Sequence, residues 1–210
     1  AIALEGIDHF EVADFEYADR MGLRIKLIAS LHIEEQKIQA YVLPMMLEKE
    51  EMLAKISGST NAVTIYGTHS EDISLIGKGA GSLPTASAIV ADLNKIKKHP
   101  EPYLPPPEAE KLELMPLDKM RFRHTLRFEV KDQPNILGHI GKVMGDLGIN
   151  IYALEQLPQY HKMGEAGEEI VIFTLTLEEC EEGLINQALS KINNAEYMRK
   201  PATLLRELIF

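Results

Sequence analysis

The residues best placed to do chemistry lie where Ile73-Ser74-Leu75-Ile76 runs into Gly77-Lys78-Gly79-Ala80-Gly81-Ser82-Leu83-Pro84-Thr85-Ala86-Ser87-Ala88-Ile89-Val90-Ala91-Asp92-Leu93. Three glycines remove Cβ atoms where the backbone must turn sharply or approach a neighbour, and Pro84 suits a first helical turn, whose N–H lacks a partner anyway. A strand, a glycine loop and a helix start together present N–H groups to an anion or to the polar edge of a cofactor. The same pattern also serves as a tight turn for strand–helix packing. The third glycine of a G-x-G-x-x-G fingerprint and its acidic residue about 20 positions later are both missing. Lys26 and Lys78 are the ammonium groups to weigh for proton transfer, which requires a tuned pocket. Ser82, Thr85 and Ser87 lie in no G-x-S-x-G elbow, and helix capping accounts for them. His9, His32, His69, His99, His124, His139 and His161 show no HExxH spacing and no companion cysteines, so no metal site is expected and surface or capping roles follow. The acidic runs Glu48, Glu50, Glu51 and Glu178, Glu179, Glu181, Glu182 read as solvated helix beginnings, where carboxylates meet the positive dipole end.

The elements that must carry these groups follow from periodicity. Val12 to Arg20 reads as a helix ending at Gly22, which can take the left-handed cap conformation. Leu23 to Leu31 alternates as a strand, Lys37 to Leu43 pairs with it as a hairpin, and Pro44 breaks the second strand. Leu47, Met52, Leu53 and Ile56 suggest a short amphipathic helix, Ala62 to Tyr66 a strand, and Ile73 to Ile76 the strand before the glycine loop. Ala86, Ile89, Val90, Leu93 and Ile96 recur at helical spacing, which predicts a buried face. Between His99 and Pro116 the chain holds six of its 11 prolines, so residues 99–118 are expected as an extended linker between domains at 1–98 and 119–210.

Beyond the linker, Arg123 to Val130 alternates as a strand and Asp132-Gln133-Pro134-Asn135 turns into a helix with Ile136, Leu137, Ile140, Val143, Met144 and Leu147 on its apolar face. Gly148 ends it. Ile149 to Leu154 is the next strand, Gln159 to Glu168 a polar loop, Ile170 to Leu177 a third strand, Glu181 to Asn193 a second helix, and the remainder a last strand and tail. That βαββαβ order is the ferredoxin-like layout. The expected class is therefore α+β, an α/β portion with a mixed sheet followed by a ferredoxin-like unit.

Composition bounds the partners. An apolar fraction of 45 % over 210 residues suffices for buried cores. A net charge of −10 with no basic cluster disfavours nucleic acid and anionic membrane. The lone Cys180, the absence of an apolar leader and the lack of a spanning apolar run predict a cytoplasmic protein. The start at Ala1-Ile2-Ala3-Leu4, without an initiator Met, predicts an entry into the middle of a longer polypeptide.

The string GKGAGSLPTASAIVADL closely resembles the glycine loop and following helix in the substrate domain of homoserine dehydrogenases, which interconvert aspartate semialdehyde and homoserine with NAD(P). The Glu5-Gly6-Ile7 segment, the helix ending in glycine and Gly22-Leu23-Arg24-Ile25-Lys26-Leu27-Ile28-Ala29 agree with the same family in order and spacing. The resemblance implies that residues 1–98 form part of a substrate and dimerisation domain, with Gly79, Ala80 and Gly81 lining the nicotinamide side of the cleft. The family's cofactor-binding domain, catalytic lysine and substrate-gripping acids lie N-terminal to this start, so no catalytic residue is expected here and the chain alone should not oxidise homoserine. Strands rich in Ile, Leu and Val also predict self-association, a symmetric dimer or larger.

Asp132-Gln133-Pro134-Asn135-Ile136-Leu137 together with Leu147-Gly148-Ile149-Asn150-Ile151 resembles an ACT domain, a small-molecule-sensing module of amino-acid metabolism. Asn135 stands where the usual pattern has glycine, and asparagine also tolerates left-handed angles. The resemblance implies an amino-acid effector, threonine first. Asp132 and the Asn150 side-chain oxygen would accept from its ammonium, and the N–H groups of Asn135, Ile136 and Leu137 would receive its carboxylate. A stand-alone amino-acid-binding regulator remains the alternative reading.

Overall fold

A computed structural model describes residues 2–34, 36–67, 69, 71–98, 112–164 and 167–208. In chain order the elements are β1 (Ala3–Leu4), α1 (Val12–Arg20), β2 (Leu23–Glu34), β3 (Lys37–Glu48), α2 (Met52–Lys55), β4 (Thr60–Ile65), β5 (Ile73–Lys78) and α3 (Ser82–Lys98). After the proline-rich stretch come β6 (Glu113–Leu114), β7 (Arg121–Lys131), α4 (Ile136–Asp146), β8 (Ile151–Met163), β9 (Glu169–Leu177), β10 (Cys180–Glu181), α5 (Glu182–Ile192) and β11 (Thr203–Glu207). Residues 99–111, most of the expected linker, lie outside the described residues. This is a mixed α+β chain, and it divides into two compact units, Ala1–Glu48 with Leu112–Phe210, and Lys49–Lys111.

The first unit is built on a mixed sheet in the order β1-β3-β11-β7-β9-β8, with β2 and β6 also on β3 and β10 on β7. The hairpin of β2 and β3 follows from clean alternation. It runs in register from Leu23 opposite Glu48 to Glu34 opposite Lys37. Pro44 does not break it, contrary to the sequence expectation. The other edge of β3 pairs with β1 at Tyr41 and Val42 and with β11 at Met45 and Met46. Pro44 falls between those partners, where a missing N–H costs no ladder bond. Leu47 accordingly belongs to β3, and the short helix is reduced to Met52–Lys55.

Strand β11 pairs parallel with β3 and antiparallel with β7. That insertion is why the compact units group residues 1–48 with the C-terminal part, a division different from the 98/119 boundary read from composition. Beyond residue 120 the element order is β7-α4-β8-β9-β10-α5-β11, with the two-residue β10 paired to β7, and the longer strands lie as β11-β7-β9-β8. Alternation sets the two faces of these strands. Leu126, Phe128 and Val130 of β7 with Phe173 and Leu175 of β9 pack against Ile140, Met144, Ile185 and Ile192 of α4 and α5. Phe128 and Phe173 stack at 5.2 Å between ring centroids. Burying one such side chain contributes about 1.5–3 kcal/mol, so this layer supplies much of the unit's stability. On the other face α1 packs through Tyr17 and Ala18 against Ile25, Met46 and Leu205. Gly22, with φ of 75°, ends α1 as expected and turns the chain into β2. Strand β8 runs to Met163, further than the alternation alone suggested, so Gln159 to Met163 belong to a strand and not to the expected polar loop.

In the second unit β4 and β5 form a hairpin, Thr60 opposite Lys78 through Ile65 opposite Ile73, and α3 follows. The expected burial of α3 is not found. Ala86 is exposed, and Ile89, Val90, Leu93 and Ile96 are 55–64 % exposed. Helical spacing identifies an apolar stripe but not the element that covers it, and among the described residues nothing does.

Candidate functional site

The glycine loop is shaped by two separate demands. Gly79 donates its N–H to the Ser59 carbonyl at 3.1 Å, and a Cβ at Gly79 would lie 1.7 Å from Asn61 Nδ2. Gly81 sits at φ 117°, a conformation that side-chain-bearing residues rarely adopt. The loop is thus both a tight strand–helix turn and a glycine-lined approach to the start of α3, and the two sequence readings are compatible. Gly79, Ala80 and Gly81 are all exposed. Lys78 is exposed at the end of β5. Lys26 is half-buried on β2, where burial and then the Arg24 charge lower its ammonium below the ordinary lysine range.

The loop between β7 and α4 holds four of the five predicted effector residues together. Asp132 donates its N–H to the Glu169 carbonyl at 2.7 Å. Asn135 is the only non-glycine residue with positive φ among the described residues, at 72°, and it precedes the first turn of α4. Asparagine supplies there the left-handed geometry that glycine would supply. Its Oδ1 lies over Gly138, where a Cβ would come within 2.4 Å. Ile136 is buried while Leu137 is 45 % exposed. His139 one turn on places Nδ1 2.7 Å from the Tyr197 hydroxyl, and burial raises that phenol.

Asn150 lies elsewhere. It caps the other end of β9, its amide donating to Glu178 Oε2 at 3.1 Å and its carbonyl accepting from Glu178 N–H at 3.0 Å. Asp132 meets β9 at Glu169, so the nine residues of β9 separate the two groups by about 30 Å at roughly 3.3 Å per residue. Within one chain Asn150 does not join the Asp132 loop.

Two buried ionic clusters were missed by sequence reasoning. On one face of the β7–β11 pair, Arg206 contacts Glu182 through Nε at 3.0 Å and Glu5 through Nη1 and Nη2 at 2.8 and 2.9 Å. Glu182 also meets His124 Nε2 at 2.8 Å. Glu182 and His124 are buried, not the solvated helix start and surface imidazole expected. Burial pushes the Glu182 carboxyl up, but the His124 and Arg206 hydrogen bonds and the Arg206 charge outweigh it and hold the group below the ordinary carboxylate range. Cys180 Sγ lies 3.7 Å from His124 Nδ1, and burial above all pushes its thiol up to about 11. It is therefore a thiol at neutral pH and no nucleophile.

On the opposite face Arg127 grips Asp14 of α1 with two nitrogens and donates to Thr203 Oγ1 at 3.1 Å. Its Nη1 is buried without a hydrogen-bond partner among the described residues. Tyr17 adds a hydroxyl contact to Thr176 at 3.1 Å, and Arg20 reaches Glu155 at 3.1 Å. Lys200 bridges Glu11 at the start of α1 and Glu129 of β7. The available signal was Arg127, a charge in the middle of β7 between Leu126 and Phe128. Among the described residues no three His, Cys, Asp or Glu side chains are grouped to hold a metal, and no helix is long and apolar enough to cross a membrane.

The homoserine dehydrogenase family model matches residues 1–93. The homoserine dehydrogenase of Neisseria gonorrhoeae is 31 % identical over 98 % of this chain and 48 % of that protein. That of Bacillus subtilis is 28 % identical over 95 % and 46 %. The crystal structure of a homoserine dehydrogenase from Thiobacillus denitrificans superposes with a TM-score of 0.81 at 27 % identity, covering 97 % of this chain and 47 % of that one. The chain spans about half the length of the relatives it matches. The chain matches a C-terminal part of the homoserine dehydrogenases.

Proposed function

We propose that this chain is the part of a homoserine dehydrogenase that supplies one wall of the substrate and dimerisation domain and a ferredoxin-like ACT module for amino-acid feedback. The observation that carries the effector reading is the strand order β11-β7-β9-β8 around α4 and α5, with left-handed Asn135 at the mouth of α4. That geometry leaves the first N–H groups of α4 pointing out of the loop, where a carboxylate finds donors and a favourable dipole. Asp132 beside them offers an acceptor for an ammonium. An effector that also reaches Asn150 needs a second copy of the chain, since about 30 Å separates the two groups within one. The open edge of β8, which pairs only with β9 among the described residues, is a surface on which two copies can align.

The parent enzyme uses NAD(P), which when bound accepts or returns the hydride. The glycine loop fits that role through its backbone, since Gly79, Ala80 and Gly81 carry no bulky side chain and Gly81 leads directly into α3. Those three residues would hold the nicotinamide side, position it and exclude water. No residue of this chain is assigned to proton transfer, so the chain alone is inactive in the reaction that interconverts homoserine and aspartate semialdehyde.

The effector reading is tested by titrating 15N-labelled chain with L-threonine. The largest shifts are expected at the amides of Asp132, Gln133, Asn135, Ile136 and Leu137 and of Asn150. No shift at those amides with millimolar threonine, serine, isoleucine or methionine contradicts it.

A further inference from the structure

The Asp132 loop is connected to α1 by an unbroken set of polar contacts, although α1 lies more than a hundred residues earlier. His139, one turn into α4, meets the Tyr197 hydroxyl at 2.7 Å. The turn that follows Tyr197 is stitched to the end of β7, Tyr197 accepting from Lys131 N–H at 2.9 Å and Arg199 donating to the Glu129 carbonyl at 3.0 Å. Lys200 then leaves this turn to bridge Glu129 and Glu11. Glu11 is the residue that caps α1, sharing a capping box with Asp14, and Asp14 is the buried partner of Arg127. The links are a side-chain hydrogen bond from α4 to the turn, two backbone bonds from the turn to β7, and charged pairs from Lys200 and Arg127 to the start of α1, so each step is a directional bond between defined elements.

Resting on the effector reading above, we propose that the Tyr197–Lys200 turn is the coupling element that carries occupancy of the Asp132–Leu137 loop to α1. An amino acid seated at the start of α4 tightens that helix, the His139–Tyr197 bond transfers the constraint to the turn, and Lys200 holds Glu11 and the α1 cap more firmly on the sheet. The consequence reaches β2, because α1 turns straight into that strand at Gly22. Thermodynamic reciprocity requires that loosening the α1 seat weaken effector binding by the same factor. A ligand shifts this equilibrium only through its different affinity for the seated and loosened states.

The test uses the full 210-residue chain with L-threonine as probe, calorimetry for binding and hydrogen exchange of residues 12–21 for the α1 seat. Saturating threonine is expected to slow α1 exchange about fivefold or more, the lower end of ordinary coupling factors. Tyr197→Phe removes only the hydroxyl that meets His139, and Lys200→Met removes only the bridge to Glu11 and Glu129. Both should still bind threonine, more weakly, and should lose its effect on α1. Heat of binding with unchanged α1 exchange in the unmodified chain overturns the coupling while leaving the effector site intact. A full threonine effect on α1 in Tyr197→Phe and in Lys200→Met overturns it as well. No heat with threonine, serine, isoleucine or methionine removes the effector reading, and this inference with it.

Discussion

Replacing Arg206 by methionine removes the guanidinium that joins Glu182 to Glu5 while keeping a flexible apolar side chain in the same space. Glu182 is buried, so the variant leaves a carboxylate whose remaining partner is His124. Breaking a buried pair from one side costs about 3–5 kcal/mol, because the orphaned charge stays out of water. Glu5 is 36 % exposed at its side chain and can turn to solvent, so its loss adds little. At about 2–4 °C per kcal/mol for a chain of this size, the melting temperature should fall by about 6–20 °C. The double variant Arg206→Met with Glu182→Gln should cost clearly less than the sum of the two single changes, since neither partner then leaves a bare charge. The folded-state Glu182 carboxyl lies below its ordinary value, so its contribution is complete above about pH 4.3 and is lost as pH falls through the lowered folded value. The stability gap between the unmodified chain and Arg206→Met should therefore be constant near neutrality and close in acid. Urea unfolding, with amide exchange of residues 203–207 reporting on β11, measures each quantity. A loss under about 1 kcal/mol at pH 7, or a gap that widens in acid, refutes the reasoning.

Other consequences are local. Gly81→Ala forces a side chain onto φ 117° and should cost about 1–3 kcal/mol, read as faster amide exchange in the first turn of α3. Asn135→Gly should leave stability within about 1 kcal/mol, whereas Asn135→Val, a β-branched residue at φ 72°, should cost about 1–2 kcal/mol or more in a urea melt. Cys180, buried and with its thiol pushed up to about 11, should resist an aromatic disulfide reagent at pH 7.5 in the folded chain and react fully in denaturant. Purified chain supplied with NAD(P) and homoserine should show no turnover above background in a steady-state assay, and light scattering should give at least twice the 23.6 kDa chain mass.

What the sequence made legible was local. The α1 stop at Gly22 and the hairpin alternation from Leu23 are each written within a few residues, and each was found. Pro44 misled because its tolerance depends on which neighbours flank β3, and those come from both ends of the chain. The Ile89 and Leu93 stripe on α3 was read correctly as apolar but not as open, since burial belongs to a partner element rather than to a helix. The Arg206–Glu5 contact joins residues 201 apart in sequence, and Arg127–Asp14 joins residues 113 apart. No periodicity encodes such pairs. For the candidate effector site, the residue types were visible but the distance between Asp132 and Asn150 was not, because it depends on the direction in which β9 runs between them.

The effector site is the central claim, and isothermal titration of the intact chain with L-threonine tests it most directly. The account predicts saturable heat with threonine, weaker or absent heat with serine, isoleucine and methionine, and loss of binding in the combined Asp132→Ala and Asn150→Ala variant, with the fold retained by circular dichroism. On the proposed site shared between two copies, mixing Asp132→Ala chain with Asn150→Ala chain should restore a fraction of the sites. Absence of heat with all four amino acids at millimolar concentration, or threonine binding undisturbed in the combined variant, would contradict it.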